Sequence, residues 1–519
     1  MTSKESFHYQ IRISIHGRCL VDIANFEIPK NKVTFLFGES GIGKSVISKA
    51  IYGLLDSQEL DVVVNGQKYE SYLNSRPAVE MKEYGFFVFQ EPSSHLNPLL
   101  TLSEQLKEGS LAKAKSEAKI LKQLWSPKQG MGIRQVLNAY PKSHRPSGGE
   151  KQRVLLAMAF KKIELYIEDL NPSPYTIFVF DEPTGSLDNE TRDLFLHALL
   201  GQYRKHPFTV LLITHDYSMI SEVFKRHKDL LDKIAFKELR LHKGNFSLND
   251  FYHQSYLDWL SVNKKGSGQR RENLGRSRKD ILLRMDNGAM IFGRRLIMSK
   301  YAKSDRTQPL IIRKNQIVYL KAASGAGKTT LAKIVMGLLR ARNLDLRIGE
   351  HHLTDETPSR YWHDHLWGRK IGMVFQHADE ALNLNAKVKD IFAGLPLPQQ
   401  VTPYYVRRQL ETYFPDELNE AFLNKPIGHL SGGQKQRLNL LRTISLDPEL
   451  LILDEPLNGL DFFSIRKVID MLLAKQKEGK GILLISHNEE IFDSLGAADR
   501  LLLKVEHAGY STTQSSSTA

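Results

Sequence analysis

One ordered set of chemistry-bearing residues occurs twice in this chain of 519 residues. Gly38-Glu-Ser-Gly-Ile-Gly-Lys-Ser45 returns as Ala322-Ala-Ser-Gly-Ala-Gly-Lys-Thr329. Glycines there let backbone N–H groups close round phosphate oxygens, helped by the N-terminus of the helix that follows. In the first copy Gly38, Gly41 and Gly43 supply that freedom, and in the second Ser324, Gly325 and Gly327 stand in the corresponding loop. Lys44 and Lys328 would reach the outer phosphates, and Ser45 and Thr329 would hold Mg²⁺. Asp181-Glu182 and Asp454-Glu455 each end a short apolar run. Ligands of doubly wound sheets bind at such strand ends. Asp181 and Asp454 suit metal support, and Glu182 and Glu455 suit polarising an attacking water.

A third pair of motifs lies between these. Ser147-Gly-Gly-Glu150 and Ser431-Gly-Gly-Gln434 each precede Lys-Gln-Arg and an apolar helical run. Ser-Gly-Gly starts a helix with exposed N–H groups, so Ser147, Gly149, Glu150, Ser431, Gly433 and Gln434 form a second kind of anion-binding surface. For one copy alone, a simple capped helix reads equally well. The lysines lie 284 residues apart, as do the serines at 147 and 431. The aspartates at 181 and 454 lie 273 apart, and His215 and His487 lie 272 apart. Such spacing marks a duplicated domain, not a short-period solenoid.

The elements follow from these positions. Lys32-Val-Thr-Phe-Leu-Phe37 reads as a buried strand, and the apolar spacing of Val46–Leu55 reads as a helix. Residues 1–262 form the first copy and 281–507 the second. The basic, Gly-containing stretch 263–280 reads as a flexible linker, and the polar tail 508–519 as disordered. Residues 224–259 are polar and aromatic, and the pattern does not place them.

Composition narrows the class. Apolar residues are 41% and charged residues 25%, as in ordinary globular proteins. The net charge of +14 favours anionic partners. A single cysteine, Cys19, excludes an internal disulfide or a Cys-rich metal site. No stretch has the length and apolarity of a spanning helix, and the N-terminus lacks an apolar signal core. A cytoplasmic protein is expected, with any membrane role supplied by other chains.

The phosphate loop, Gln90 or Gln376, the Ser-Gly-Gly signature, the Asp-Glu pair, Asp188 or Asp461, and His215 or His487 together resemble the ABC ATPases. The resemblance covers nearly the whole chain, twice. It implies an α/β fold: two tandem P-loop nucleotide-binding domains, each with a helical subdomain, paired head to tail. It implies an ATPase using ATP and Mg²⁺. Site one would take Lys44, Ser45, Gln90, Asp181, Glu182 and His215, facing Ser431, Gly433 and Gln434. Site two would take Lys328, Thr329, Gln376, Asp454, Glu455 and His487, facing Ser147, Gly149 and Glu150. Gln90 and Gln376 would serve both metal and water. Ala322 in place of the first glycine implies a perturbed second loop. Adenine would stack on Phe292 in the second copy and on His16 in the first.

Phe89-Gln-Glu-Pro-Ser-Ser-His-Leu-Asn-Pro98 resembles the oligopeptide, dipeptide and nickel importer ATPases, which carry Phe-Gln-x-Pro-x3-Leu-Asn-Pro there. That resemblance implies membrane permease partners, a solute-binding protein, and a place on the cytoplasmic face of the inner membrane. Many such proteins carry a Cys-rich C-terminal extension, and the 519 residues here hold a single cysteine. The rival reading is a soluble ABC ATPase acting on the ribosome or nucleic acid, favoured by the charge. Against it, no long helical hairpin, heptad run or Cys cluster interrupts the chain.

Overall fold

The computed structural model describes residues 5–108, 115–125, 133–137, 146–185, 187–242, 244–266, 280–300, 306–322, 326–495 and 498–507. The chain divides into two compact units, Met1–Asp258 with Gly459–Phe462, and Trp259–Asn458 with Phe463–Ala519.

The main sheet of unit one runs in the order Asn245–Asp250, Ile234–His242, Val33–Phe37, Val210–Ile213, Phe178–Asp181, Phe86–Val88. All neighbours pair in parallel except the first two, which form an antiparallel hairpin. Parallel strands covered on both faces need unbroken apolar runs. Val33–Phe37 meets that demand with every residue buried. Unit two repeats the plan. Its order is Ala289–Ile291, Arg294–Ser299, Ala498–His507, Ile317–Lys321, Gly481–Ile485, Leu450–Asp454, Ile371–Val374.

Register then fixes where the chemistry emerges. Leu36 and Asp181 both pair with Ile213. The chain therefore leaves the sheet at residues 37, 182 and 214 side by side. In unit two Leu320 and Asp454 both pair with Ile485. A smaller antiparallel sheet flanks each main sheet. In unit one it holds Ser6–Ile15, Arg18–Pro29, Asp61–Val64 and Gln67–Lys68, and in unit two Ile281–Met285, Leu310–Arg313, Asp345–Ile348 and His351–Thr354.

Helices complete each unit. In unit two Pro403–Tyr413, Glu420–Leu423 and Gly432–Ser445 share a core of their own, including Val388, Leu410, Phe414, Leu438 and Leu441. In unit one the long helix Gly148–Glu168 holds Arg153 over the Trp125 ring at 4.1 Å. Residues 224–259, unplaced by pattern, supply the edge hairpin and the start of the helix His253–Gly266. That helix continues through the first four residues of the stretch read as linker. Residues 267–279 and 508–519 lie outside the described residues.

Candidate functional site

Lys44 opens the helix Lys44–Tyr52, behind Gly43 at φ 109°. Its side chain is buried, and its ammonium donates to the carbonyls of Gly38 (2.7 Å) and Glu39 (2.8 Å). Burial lowers the lysine pKa, with Glu182 and Asp181 pulling the other way. Gly38 has φ 141°, and a Cβ there would lie 2.6 Å from the Leu239 carbonyl oxygen. Only glycine fits that approach without a shift of backbone.

Five further side chains gather beside this loop. Ser45 Oγ donates to Asp181 Oδ1 at 2.8 Å. Gln90 Nε2 donates to Glu182 Oε2 at 3.0 Å, and His215 Nδ1 stands 3.3 Å from Glu182 Oε1. Burial pushes Asp181 up to about 6, against the Ser45 hydrogen bond. Burial also works to raise Glu182, but the charge and hydrogen bond of His215 outweigh it and hold the carboxyl below its ordinary value. The imidazole responds in kind: burial lowers His215, and Glu182 raises it to a net increase.

Unit two assembles the same types with different bonds. Lys328 Nζ donates to the Ala322 carbonyl at 2.9 Å, so alanine in the first glycine's place keeps the contact that Gly38 makes. Ser324 and Gly325 lie outside the described residues; Gly327, at φ 86°, precedes the helix Lys328–Val335. Glu455 Oε2 accepts from Ser486 Oγ (2.9 Å) and from the His487 backbone N–H (3.0 Å), and the His487 ring stands 3.5 Å from Oε1. Among the described residues no hydrogen bond joins Gln376 to Glu455, unlike the Gln90 pair. Burial pushes Glu455 up to about 7, despite the His487 and Ser486 hydrogen bonds. Asp454 is buried, and burial raises its pKa against Thr329. Neither of its oxygens has a hydrogen bond of good geometry. A buried carboxylate without donors is costly unless a cation accompanies it. The Thr329 and Asp454 pair therefore suits Mg²⁺, as Ser45 and Asp181 do.

Ser147 and Ser431 are N-caps of Gly148–Glu168 and Gly432–Ser445. Each takes part in a capping box, with Glu150 in one and Gln434 in the other. The capped-helix reading thus holds locally for both copies; the capping box bonds the N–H groups of the N-cap and third helical residue, and those of the first two helical residues have no partner within the helix. Asp188 caps Asn189–Lys205, accepting from Thr191 N at 2.8 Å. His16-Gly17 and Phe292-Gly293 are matching two-residue turns, between Ile15 and Arg18 and between Ile291 and Arg294. All four residues have positive φ, and Phe292 is 85% exposed at its tip. A large apolar ring so exposed is a ready stacking platform.

Sequence reasoning gave no role to Ser486, Tyr319 or Lys321, which reach this site in unit two. Ser486 and Thr214 sit inside the histidine motifs, where only the imidazole has an obvious chemistry. Asp216 is a further silent partner: it binds Arg192 (2.9 Å) and the Ser218 N–H (3.0 Å), fixing the turn after His215.

Among the described residues no helix is long and apolar enough to cross a membrane. The ABC transporter family matches the chain at residues 21–170 and 308–458. The peptidoglycan transport ATP-binding protein YejF of Agrobacterium fabrum is 27% identical, over 93% of this chain and 87% of its own. The ribose import ATP-binding protein RbsA of Clostridium perfringens is 24% identical, over 92% and 88%. Among solved structures, the RNase-L inhibitor superposes with a TM-score of 0.57 over 96% of this chain and 88% of that one, at 17% identity, a likeness of fold. Two cassettes, each with its phosphate loop, carboxylate pair and histidine at the ends of parallel strands, make this chain an ATPase belonging to the ABC transporter family.

Proposed function

We propose that this ATPase powers import through membrane permease subunits, taking up a peptide, nickel or a related small solute delivered by a solute-binding protein. Supporting this reading is the segment that leaves Gln90. Gln90 bonds Glu182, and Pro92–Ser94 then forms a short 3₁₀ turn. The Gln105 side chain closes the stretch by bonding Asn97 N–H (2.7 Å) and Asn97 O (2.9 Å). Leu96 is buried beneath it while Leu99 is 72% exposed. A membrane partner gripping this segment would act one short step from the hydrolytic carboxylate. Relatives named for peptidoglycan transport and ribose import support a transport role and leave the solute open.

In this reading Lys44 and Lys328 exchange their loop carbonyls for the outer phosphates of ATP. Ser45, Gln90 and Asp181 would hold Mg²⁺ in one site, and Thr329, Gln376 and Asp454 in the other. Held there, the ion would supply positive charge against the phosphates. Glu182 and Glu455 accept a proton from water as it attacks the terminal phosphorus, and the bond to ADP breaks. His215 and His487 keep those carboxylates in place. The resemblance to ABC ATPases adds the Ser-Gly-Gly helix start of the opposite copy to each nucleotide. Its other arm, action on the ribosome or nucleic acid, is favoured by the charge of +14.

The test is recovery of partners from native membranes, together with Leu99→Asp. We expect permease chains to co-purify, and Leu99→Asp to lower transport roughly tenfold while ATP turnover stays within about twofold. Co-purification of ribosomes with no permease would replace this reading with the rival.

A further inference from the structure

We infer that Tyr319 and Lys321 are positioning residues for hydrolysis in unit two, clamping the loop that carries His487 to the strand that enters the phosphate loop. Both lie on Ile317–Lys321 two residues apart, so they point to one face of the sheet. The Tyr319 hydroxyl donates to the Ser486 carbonyl at 2.8 Å, in a buried bond. Lys321 Nζ donates to Glu489 Oε2 (2.8 Å) and Asp493 Oδ2 (3.1 Å). Ser486 and His487 in turn donate to Glu455 Oε2. One chain of bonds thus runs from the residue before Ala322, through 486–489, to the water-handling carboxylate.

Unit one holds the same two positions by other chemistry. Phe37 precedes Gly38 as Lys321 precedes Ala322, and Tyr217 follows His215 by two residues as Glu489 follows His487. Phe37 and Tyr217 stack, ring centroids 4.6 Å apart and planes 12° from parallel. Phe35 stands where Tyr319 does. A ring pair in one copy and an ion pair in the other join the end of the same strand to the start of the helix that follows the histidine. An exposed ion pair would carry little weight. Here the Lys321 side chain is only 16% exposed and meets two carboxylates, and Asp493 is itself braced by Arg500 at 3.2 Å. The consequence is geometric: small displacements of a reacting group cost up to about 10²-fold in rate. Releasing the clamp should therefore slow chemistry and spare nucleotide binding.

This inference rests on reading Glu455 and His487 as hydrolytic groups, and the experiment separates the two. In the full chain carrying Glu182→Gln, phosphate release reports on site two. Adding Glu455→Gln should lower that release by roughly 10²-fold. Lys321→Met and Glu489→Gln should each lower kcat about fivefold, with the KM for ATP within about twofold. Lys321→Arg, and the unit-one pair Lys321→Phe with Glu489→Tyr, should each recover kcat to within about twofold. Unchanged kcat in both single variants would overturn the clamp, as would a loss that neither replacement recovers. Absence of release in the Glu182→Gln chain, or release indifferent to Glu455→Gln, would instead remove the reading beneath it.

Discussion

Glu182 and Glu455 are held at φ 45° and 48°, a left-handed backbone that side chains other than glycine seldom adopt. Such strain, of order 1–3 kcal/mol, persists only where the surroundings impose it. Here the imposing bonds run from Glu182 N to Ile213 O (3.0 Å) and from Glu455 N to Ile485 O (2.8 Å). Both carboxylates are thereby aimed off the sheet edge beside the lysine. The Asp-Glu pairs were legible as residue types at strand ends. Their backbone twist was not, because it comes from pairing with a strand roughly thirty residues further on. The first loop position shows a second contrast. The two copies differ there by one methyl group, Gly38 against Ala322. The Leu239 carbonyl 2.6 Å from a Cβ at Gly38 is backbone of a strand paired on both sides and cannot yield cheaply. We therefore expect Gly38→Ala to weaken nucleotide binding about tenfold or more, taking strain of ~1–3 kcal/mol. Ala322→Gly should change affinity by less than about fivefold, since it adds only loop freedom. Titration with a fluorescent ATP analogue reads each site when the other lysine is replaced by alanine. Equal losses from the two substitutions would show that the Leu239 carbonyl moves aside.

At the scale of elements, the parallel strands and the helices after the glycine loops were legible because apolar runs and glycine turns are local signals. The edge hairpin Ile234–His242 with Asn245–Asp250 was not, since its strands carry Lys237, Glu238, Arg240 and Asp250 among their apolar residues. Those charges find partners only after folding: Arg240 holds Glu238 at 2.6 Å, and Lys237 holds Asp250 at 2.9 Å. A similar hidden arrangement joins the helices Asn189–Lys205 and Ser218–Arg226. His197 Nδ1 lies 2.6 Å from His227 Nε2, and Arg204 donates to His227 Nδ1 at 3.0 Å. His197 Nε2 in turn faces Glu222 at 3.1 Å and Arg226 at 3.3 Å, and Asp229 pairs with Arg204 at 2.8 Å. His227 must accept from Arg204 on one nitrogen, so only Nε2 carries a proton. Burial, then the neighbouring His197 and Arg204, push its pKa down to about 4 from an ordinary 6.5. A histidine depressed in the folded state binds its extra proton more readily when unfolded. Its contribution is complete above pH 6.5 and is lost as pH falls from there toward 4. We expect unit one to lose on the order of 3 kcal/mol across that window. Urea unfolding at stepped pH measures this, with Trp125 among its fluorescent reporters. His227→Gln should flatten that slope; an unchanged slope would show that His227 keeps its ordinary pKa.

At the scale of the molecule, the duplication sets the question of why both cassettes occupy one chain. Each unit has its own buried core, one including Phe7, Ile47, Val179 and Ile213, the other Leu283, Leu331, Ile452 and Ile485. Each of these two clusters is drawn from the residues of one copy. The resemblance to ABC ATPases implies instead that each nucleotide draws on the opposite copy's signature, and fusion then sets how often the copies meet. A covalent tether between two domains keeps each within reach of the other. Such a tether gives an effective concentration in the millimolar range, far above any cellular concentration of free halves. Turnover per intact chain should therefore be independent of dilution. A protease recognition sequence placed between Gly268 and Gln269 lets the tether be cut after folding. Turnover of the cut protein should match the intact chain at about 10 µM and fall at least roughly tenfold by about 10 nM, as the halves part. Readdition of one half in excess should restore it. If halves that migrate separately in gel filtration hydrolyse ATP as fast as the intact chain, each cassette completes its own site, and the two-copy sites fail.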